Sequence, residues 1–205
     1  MSIEILGNTF SHNARKVTWA LEEVGADYTH TQVDLMSGAQ KKPDFLALNP
    51  NGRVPVLKDG DLVLYESNAI LFYVADKHGK LLPSTAEGRA QVWQWLAWQA
   101  ADLAATCLDP WLMKLYASMG QPFDEAAHAE KVAAAAAPLG VLNGCLEGKK
   151  HVVGDSLTIA DIAVAESIGL CEFAGIDLAP YPAIRAWFEP LSKREGFQKT
   201  RPPQA

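Results

Sequence analysis

Strand signals fill the first eighty residues of this 205-residue chain and then stop. Residues 3–6 form a short apolar run. Residues 28–35 alternate polar and apolar side chains, and residues 54–58 and 62–65 flank the turn Asp59-Gly60-Asp61. These patterns predict four strands, the last two as a hairpin. Two helices fall among them. One carries Val17, Ala20, Leu21 and Val24 at helical spacing and is stopped by Gly25. The other spans residues 67–78 with Ile70, Leu71, Val74 and Ala75 on one face. A shorter helical piece covers residues 43–48. The order is β-α-β, then β-β-α, which predicts a four-stranded mixed sheet with helices on its faces. Beyond Gly79 only helical patterns remain: residues 87–119 with a kink expected at Pro110, 124–146 with a bend or break expected at Pro138, 158–173, and 182–193. The fold class is therefore α+β. The expected domains are residues 1–80, a linker at 81–86, and an all-helical domain at 87–205.

Charge and composition narrow the function classes. A net charge of −6 without any basic run argues against a nucleic-acid partner. No apolar run is long enough to span a bilayer, and the first residues lack the basic and apolar regions of a signal peptide. Cys107, Cys145 and Cys171 form no CxxC and no metal-ligand spacing with the five histidines, so no metal site is expected. Buried thiols in a reducing compartment fit this pattern, and a cytoplasmic location is expected.

The segment 49–67 carries the functional signal. Val54-Pro55, at the mouth of the third strand, is a candidate cis peptide. A proline there removes a ladder donor, so the backbone of Val54 is suited to pair with an extended peptide ligand. Ser67 reads as the N-cap of the following helix, and a helix N-terminus attracts carboxylates. Together they suggest a backbone clamp for a small peptide beside an anion seat. Further on, Thr158 and Asp161 have the spacing of a capping box, with Leu157 and Ile162 as its hydrophobic staple. This is folding equipment, and losing the cap should cost about 1 kcal/mol or somewhat more.

With Val54-Pro55, Glu66-Ser67 and the Thr158–Asp161 box in this order, the chain resembles the soluble glutathione S-transferase superfamily over essentially its whole length. Leu21-Glu22-Glu23-Val24-Gly25, Asn49-Pro50, Val152-Val153-Gly154-Asp155 and Tyr181-Pro182-Ala183-Ile184 with Trp187 add to the match. The resemblance implies a thioredoxin-like N-terminal domain, glutathione as co-substrate, a small hydrophobic electrophile as second substrate, and a homodimer. Ser11-His12-Asn13 lies where serine-type (phi-like and theta-like) members carry their activating serine. No tyrosine or cysteine precedes Tyr28. The resemblance thus makes Ser11 the thiolate stabiliser, with Thr9 as runner-up and Asn13 positioning either hydroxyl. His12 is expected in the loop, solvated or relaying a proton. The resemblance assigns Glu66 and Ser67 to the γ-glutamyl end, Val54 to the cysteinyl backbone, Lys41 to the glycine carboxylate with Arg53 assisting, and Asp102 to the partner subunit's glutathione. Phe10, Leu35, Trp111, Leu112 and Leu115 are candidates for the electrophile pocket or, for the helical ones, for core. The implied activity is glutathione transfer. The alternatives are a non-catalytic transferase-like interaction module and a glutathione-dependent peroxidase or disulfide reductase.

Overall fold

The computed structural model describes residues 2–202, which divide into two compact units: one ending at Leu82 and joined by the segment from Arg194 onward, the other Pro83–Lys193. In the first unit the chain runs β1 (Ile3–Gly7), α1 (His12–Val24), β2 (Tyr28–Gln32), α2 (Pro43–Leu48), β3 (Val56–Asp59), β4 (Leu62–Tyr65) and α3 (Ser67–His78). The sheet order is β2-β1-β3-β4. Strands β1 and β2 are parallel, and β3 is antiparallel to both β1 and β4. Ile5 is the central residue, opposite His30 on one side and Leu57 on the other. Val56 and Leu57 point to opposite faces, yet both are fully buried. The sheet is therefore covered on both sides, with α1 and α3 packed together and α2 contributing Phe45 to a cluster with Val33 and Val56.

Two features depart from the expected pattern. β2 ends at Gln32, not Leu35, because Asp34 turns the chain: its Oδ1 accepts the N–H groups of Met36 and Ser37 at 3.0 and 3.2 Å. A final helix, α11 (Glu195–Lys199), packs on α1 rather than on the helical unit. Phe197 meets the buried Trp19 edge-on at 5.1 Å, and Arg194 grips Glu23 through two hydrogen bonds of 2.7 and 2.6 Å. Replacing Arg194 with Ala should cost only about 0.5–1 kcal/mol in chemical denaturation, since this bidentate pair is partly exposed.

The second unit is helical: α4 (Ala86–Trp98), α5 (Ala104–Ser118), α6 (Glu125–Ala134), α7 (Ala136–Leu146), α8 (Ile159–Ile168), α9 (Cys171–Ala174) and α10 (Pro182–Ser192). Every residue of α8 is buried, so it forms the centre of this unit. Pro110, where a kink is expected, lies inside α5, and the helix continues past it. A wide π-turn at Gln99–Leu103 precedes it, where buried Gln99 donates to Ser167 Oγ at 3.0 Å. The break expected at Pro138 falls at Ala135, which places Pro138 in the first turn of α7, where its missing N–H has no helical partner to lose. The helix expected over 158–173 is two, α8 and the short α9, separated at Gly169 and Leu170. Cys107 and Cys171 are buried with their sulfurs 3.8 Å apart, while Cys145 is half-buried. Among the described residues no helix is long and apolar enough to cross a membrane.

Candidate functional site

The site begins in the loop between β1 and α1. Asn8 Nδ2 donates to Val33 O at 2.9 Å, and Asn8 Oδ1 accepts the Phe10 N–H at 2.9 Å. From one turn into α1, Arg15 Nη1 reaches back to Thr9 O and Phe10 O at 3.2 and 2.9 Å. The loop is thereby tied at both ends, and it delivers Ser11 as the N-cap of α1 with extended backbone (φ −80°, ψ 113°). Ser11 Oγ accepts the Ala14 N–H at a long 3.4 Å. Accepting a hydrogen bond leaves the hydroxyl's own proton available for a second partner. Asn8 and Arg15 escaped the sequence reading; a lone arginine one turn inside an apolar helix face was the available signal.

The N-terminus of α3 is knitted to that of α1. Asn13 Oδ1 accepts the Ser67 hydroxyl at 3.1 Å, and Lys16 Nζ donates to Asn68 Oδ1 at 2.7 Å. Asn13 thus engages Ser67, not the loop hydroxyls. Ser67 is the first residue of α3 and not its N-cap, as the sequence suggested. The cap position belongs to Glu66, at φ 69° and ψ 105°. A non-glycine residue in this region costs on the order of 1–3 kcal/mol, which the flanking hairpin and helix must impose. Glu66 is exposed and Ser67 half-buried. Asn13→Ala should lower the melting temperature by a few degrees, since it strands the Ser67 hydroxyl at a half-buried junction.

The third part of the site is the turn before β3. The Val54–Pro55 peptide is cis, and Val54 is half-buried. Buried Asn49 shapes the turn: its Nδ2 donates to Arg53 O at 2.7 Å and its Oδ1 accepts the Asn51 N–H at 3.0 Å. Lys41 Nζ donates to Asn51 O at 3.2 Å, bringing both Lys41 and Arg53 to this exposed turn. Gly52 (φ +56°) permits the approach, because a Cβ there would lie 2.8 Å from Lys41 Nζ and 2.9 Å from Gln40 O.

Three basic side chains sit on the first turns of α1, where the helix end is already positive. His12 is buried, not solvated, and its Nε2 has no hydrogen-bond partner. Burial, then the charges of Lys16 and Arg15, push its pKa down to about 3. Burial lowers Arg15 to about 10. Burial likewise lowers Lys16 to about 7, against the opposing pull of the Glu66 carboxylate. At neutral pH His12 is therefore uncharged. In the second unit Asp102 is exposed, and Trp111, Leu112 and Leu115 are half-buried on α5, with the Trp111 ring 5.8 Å from Phe173.

Residues 1–76 match the N-terminal domain of glutathione S-transferases, and residues 101–195 match the C-terminal domain. The glutathione S-transferase 3 of Zea mays is 36% identical over 97% of this chain and 92% of its own. The chain belongs to the glutathione S-transferase family. It is a glutathione S-transferase enzyme, with glutathione as its co-substrate and the thioredoxin-like architecture of that family. The disulfide-bond oxidoreductase YfcG of Escherichia coli is 35% identical over 89% of this chain and 86% of its own. The solved structure of a glutathione S-transferase-I bound with lactoylglutathione superposes with a TM-score of 0.86, at 30% identity over 98% of each chain.

Proposed function

We propose that this transferase activates the glutathione thiol with Ser11 for attack on a small hydrophobic electrophile. The observation that carries this reading is the Ser67–Asn13 hydrogen bond, which ties the N-terminus of α3 to that of α1, where Ser11 is the cap. The γ-glutamyl carboxylate would sit at Ser67 and the first N–H groups of α3, with its ammonium on Glu66. The cysteinyl backbone would pair with Val54, like an added strand. Lys41 and Arg53 would take the glycine carboxylate. The sulfur then falls to Ser11, whose hydroxyl donates to the thiolate.

The energetics set the scale. A free thiol of pKa about 8.5 is only about 3% ionised at pH 7. Serine and the helix end can lower that by about 2 units, a roughly 25-fold gain in thiolate. The weaker basicity costs about 8-fold in nucleophilicity, so the net gain is about 3-fold. Most of the rate must come from holding the electrophile beside the sulfur. Ser11→Ala should therefore raise the bound thiol's pKa by about 1–2 units, read by thiolate absorbance against pH, and reduce turnover at pH 7 about 3-fold with glutathione affinity nearly unchanged. An unshifted thiol pKa would remove Ser11 from this role and promote Thr9.

A second reading, glutathione-dependent disulfide reduction, is favoured by the name of the Escherichia coli relative. The loop holds no cysteine, so glutathione itself would have to carry the exchange. Turnover of a small disulfide at a rate exceeding every electrophile in a panel would select it. We assign a homodimer to this enzyme: Leu62, Val63 and Tyr65 of edge strand β4 and Trp93 of α4 are all more than a third exposed. A sedimentation mass near the 22.2 kDa of one chain would overturn that assignment. A cytoplasmic role in detoxification is consistent with the chemistry.

A further inference from the structure

Lys16 is only 2% exposed, yet the mechanism above gives it no task. Its ammonium has three donors and one acceptor, Asn68 Oδ1 at 2.7 Å. Among the described residues no carboxylate lies within salt-bridge distance of Nζ. A buried cation held by one neutral oxygen destabilises the fold that contains it. Asn68 follows Ser67 in the first turn of α3, and Glu66, which precedes Ser67, is the carboxylate that pulls on the Lys16 charge. What this ammonium needs is an anion on the Ser67 side.

We propose that Lys16 is a positioning residue for glutathione: it holds Asn68, and with it the first turn of α3, and supplies the buried positive charge that the γ-glutamyl carboxylate meets at Ser67. This rests on the assignment of the γ-glutamyl end to Glu66 and Ser67. Lys16 touches neither sulfur nor electrophile, so its effect belongs to binding.

The surrounding charges fix the direction of the pH effect. On α1 itself His12 is neutral and Arg15 cationic. From α3, Glu66 favours the charged lysine. From α11, Lys199 is paired with Glu22 and Glu195, and just beyond it Arg201 lies over Phe197. Among these groups Glu66 is the carboxylate that acts on Lys16, and its pull does not offset the burial. Its ammonium is present below about pH 7 and lost above it. Glutathione binding should weaken across the same interval.

The test uses S-methylglutathione, which keeps both carboxylates but has no thiol to ionise. Calorimetric affinities would be measured at pH 6 and pH 8.5 for the wild type, Lys16→Met, Lys16→Arg and Ser67→Ala. The wild type should bind about 10-fold more weakly at pH 8.5 than at pH 6. Lys16→Met should bind about 10-fold more weakly at pH 6, with little further change at pH 8.5. Lys16→Arg, charged throughout, should keep only the small fall near pH 8.5 that the ligand's own γ-glutamyl ammonium contributes. A residue of purely structural value would show the opposite stability signature: Lys16→Met should melt at or above the wild-type temperature, because removing a poorly paired buried charge is neutral or stabilising. Should Lys16→Met fail to fold, the wild-type and Lys16→Arg profiles still decide. A flat wild-type profile, or Lys16→Met binding as tightly as the wild type at pH 6, overturns the proposal. If Ser67→Ala nevertheless weakens binding, the assignment of the carboxylate to Ser67 stands. If Ser67→Ala also leaves affinity unchanged, that assignment falls as well.

Discussion

Replacing Asp161 with Ala should destabilise the protein by about 4 kcal/mol or more, far beyond the loss of a helix cap. Asp161 is fully buried at the start of α8. Its Oδ2 accepts the Thr158 N–H at 2.9 Å, one arm of the capping box, and also the Thr158 hydroxyl at 3.0 Å. Its Oδ1 does a different job. It accepts the Val152 N–H at 2.9 Å and Trp187 Nε1–H at 3.1 Å, so one carboxylate also fastens the loop before α8 and the largest core side chain of α10. Alanine would leave four donors unmet in a region closed to water, each costing about 1–3 kcal/mol if nothing relaxes. In a domain of this size the melting temperature should fall by about 10 °C. Asp161→Asn keeps one acceptor oxygen but turns an amide N–H₂ toward donors, so it should recover only part of the loss. A fall of less than about 1 kcal/mol for Asp161→Ala would show that the loop and Trp187 are held by other means.

The contrast between about 1 kcal/mol from the sequence and about 4 from the structure shows what a linear pattern can carry. Spacing of three between Thr158 and Asp161 identified the box, because both partners lie on one turn. Nothing in spacing could reveal that the second oxygen serves Val152 and Trp187, since those contacts depend on how α8 and α10 pack. The strand order and the α+β division were legible for the same local reason: periodicities of 2 and 3.6 report on burial of nearby faces. Element ends were less so. The π-turn at Gln99 coincides with a hydrogen bond to Ser167, sixty-eight residues away, a contact that no local pattern announces. At the candidate site, Ser11, Asn13, Lys41, Arg53, Val54, Glu66 and Ser67 all fall in the first unit, but their connections could not be read. Asn13 faces Ser67, Glu66 takes the left-handed cap position, and His12 is buried, because α1 and α3 pack with their N-termini together. Lys16 was invisible for a related reason. A lysine in an amphipathic helix is ordinarily solvated, and only the packed structure shows it enclosed.

His12 should make the enzyme acid-sensitive, and removing it should flatten the acid limb of stability. Its folded pKa, near 3, lies below the 6.5 of an unperturbed histidine, chiefly through burial and then through Lys16 and Arg15. The unfolded chain therefore binds a proton that the folded chain refuses across the interval from pH 6.5 to 3. Stability must fall as pH falls through that window, by about 1.4 kcal/mol per unit. At pH 4.5 the accumulated loss is about 2–3 kcal/mol, a large share of the 5–15 kcal/mol typical of a folded domain. His12→Leu abolishes the titration. At pH 7 it should unfold at nearly the wild-type denaturant concentration, because the Nε2 it deletes has no hydrogen-bond partner to lose. At pH 4.5 it should be about 2–3 kcal/mol more stable than the wild type. Carboxylates protonate in both proteins over this range, so the difference between them isolates His12. Parallel stability curves from pH 7 to 4.5 would mean that His12 gains its proton in the folded state, with Lys16 or Arg15 yielding to admit it.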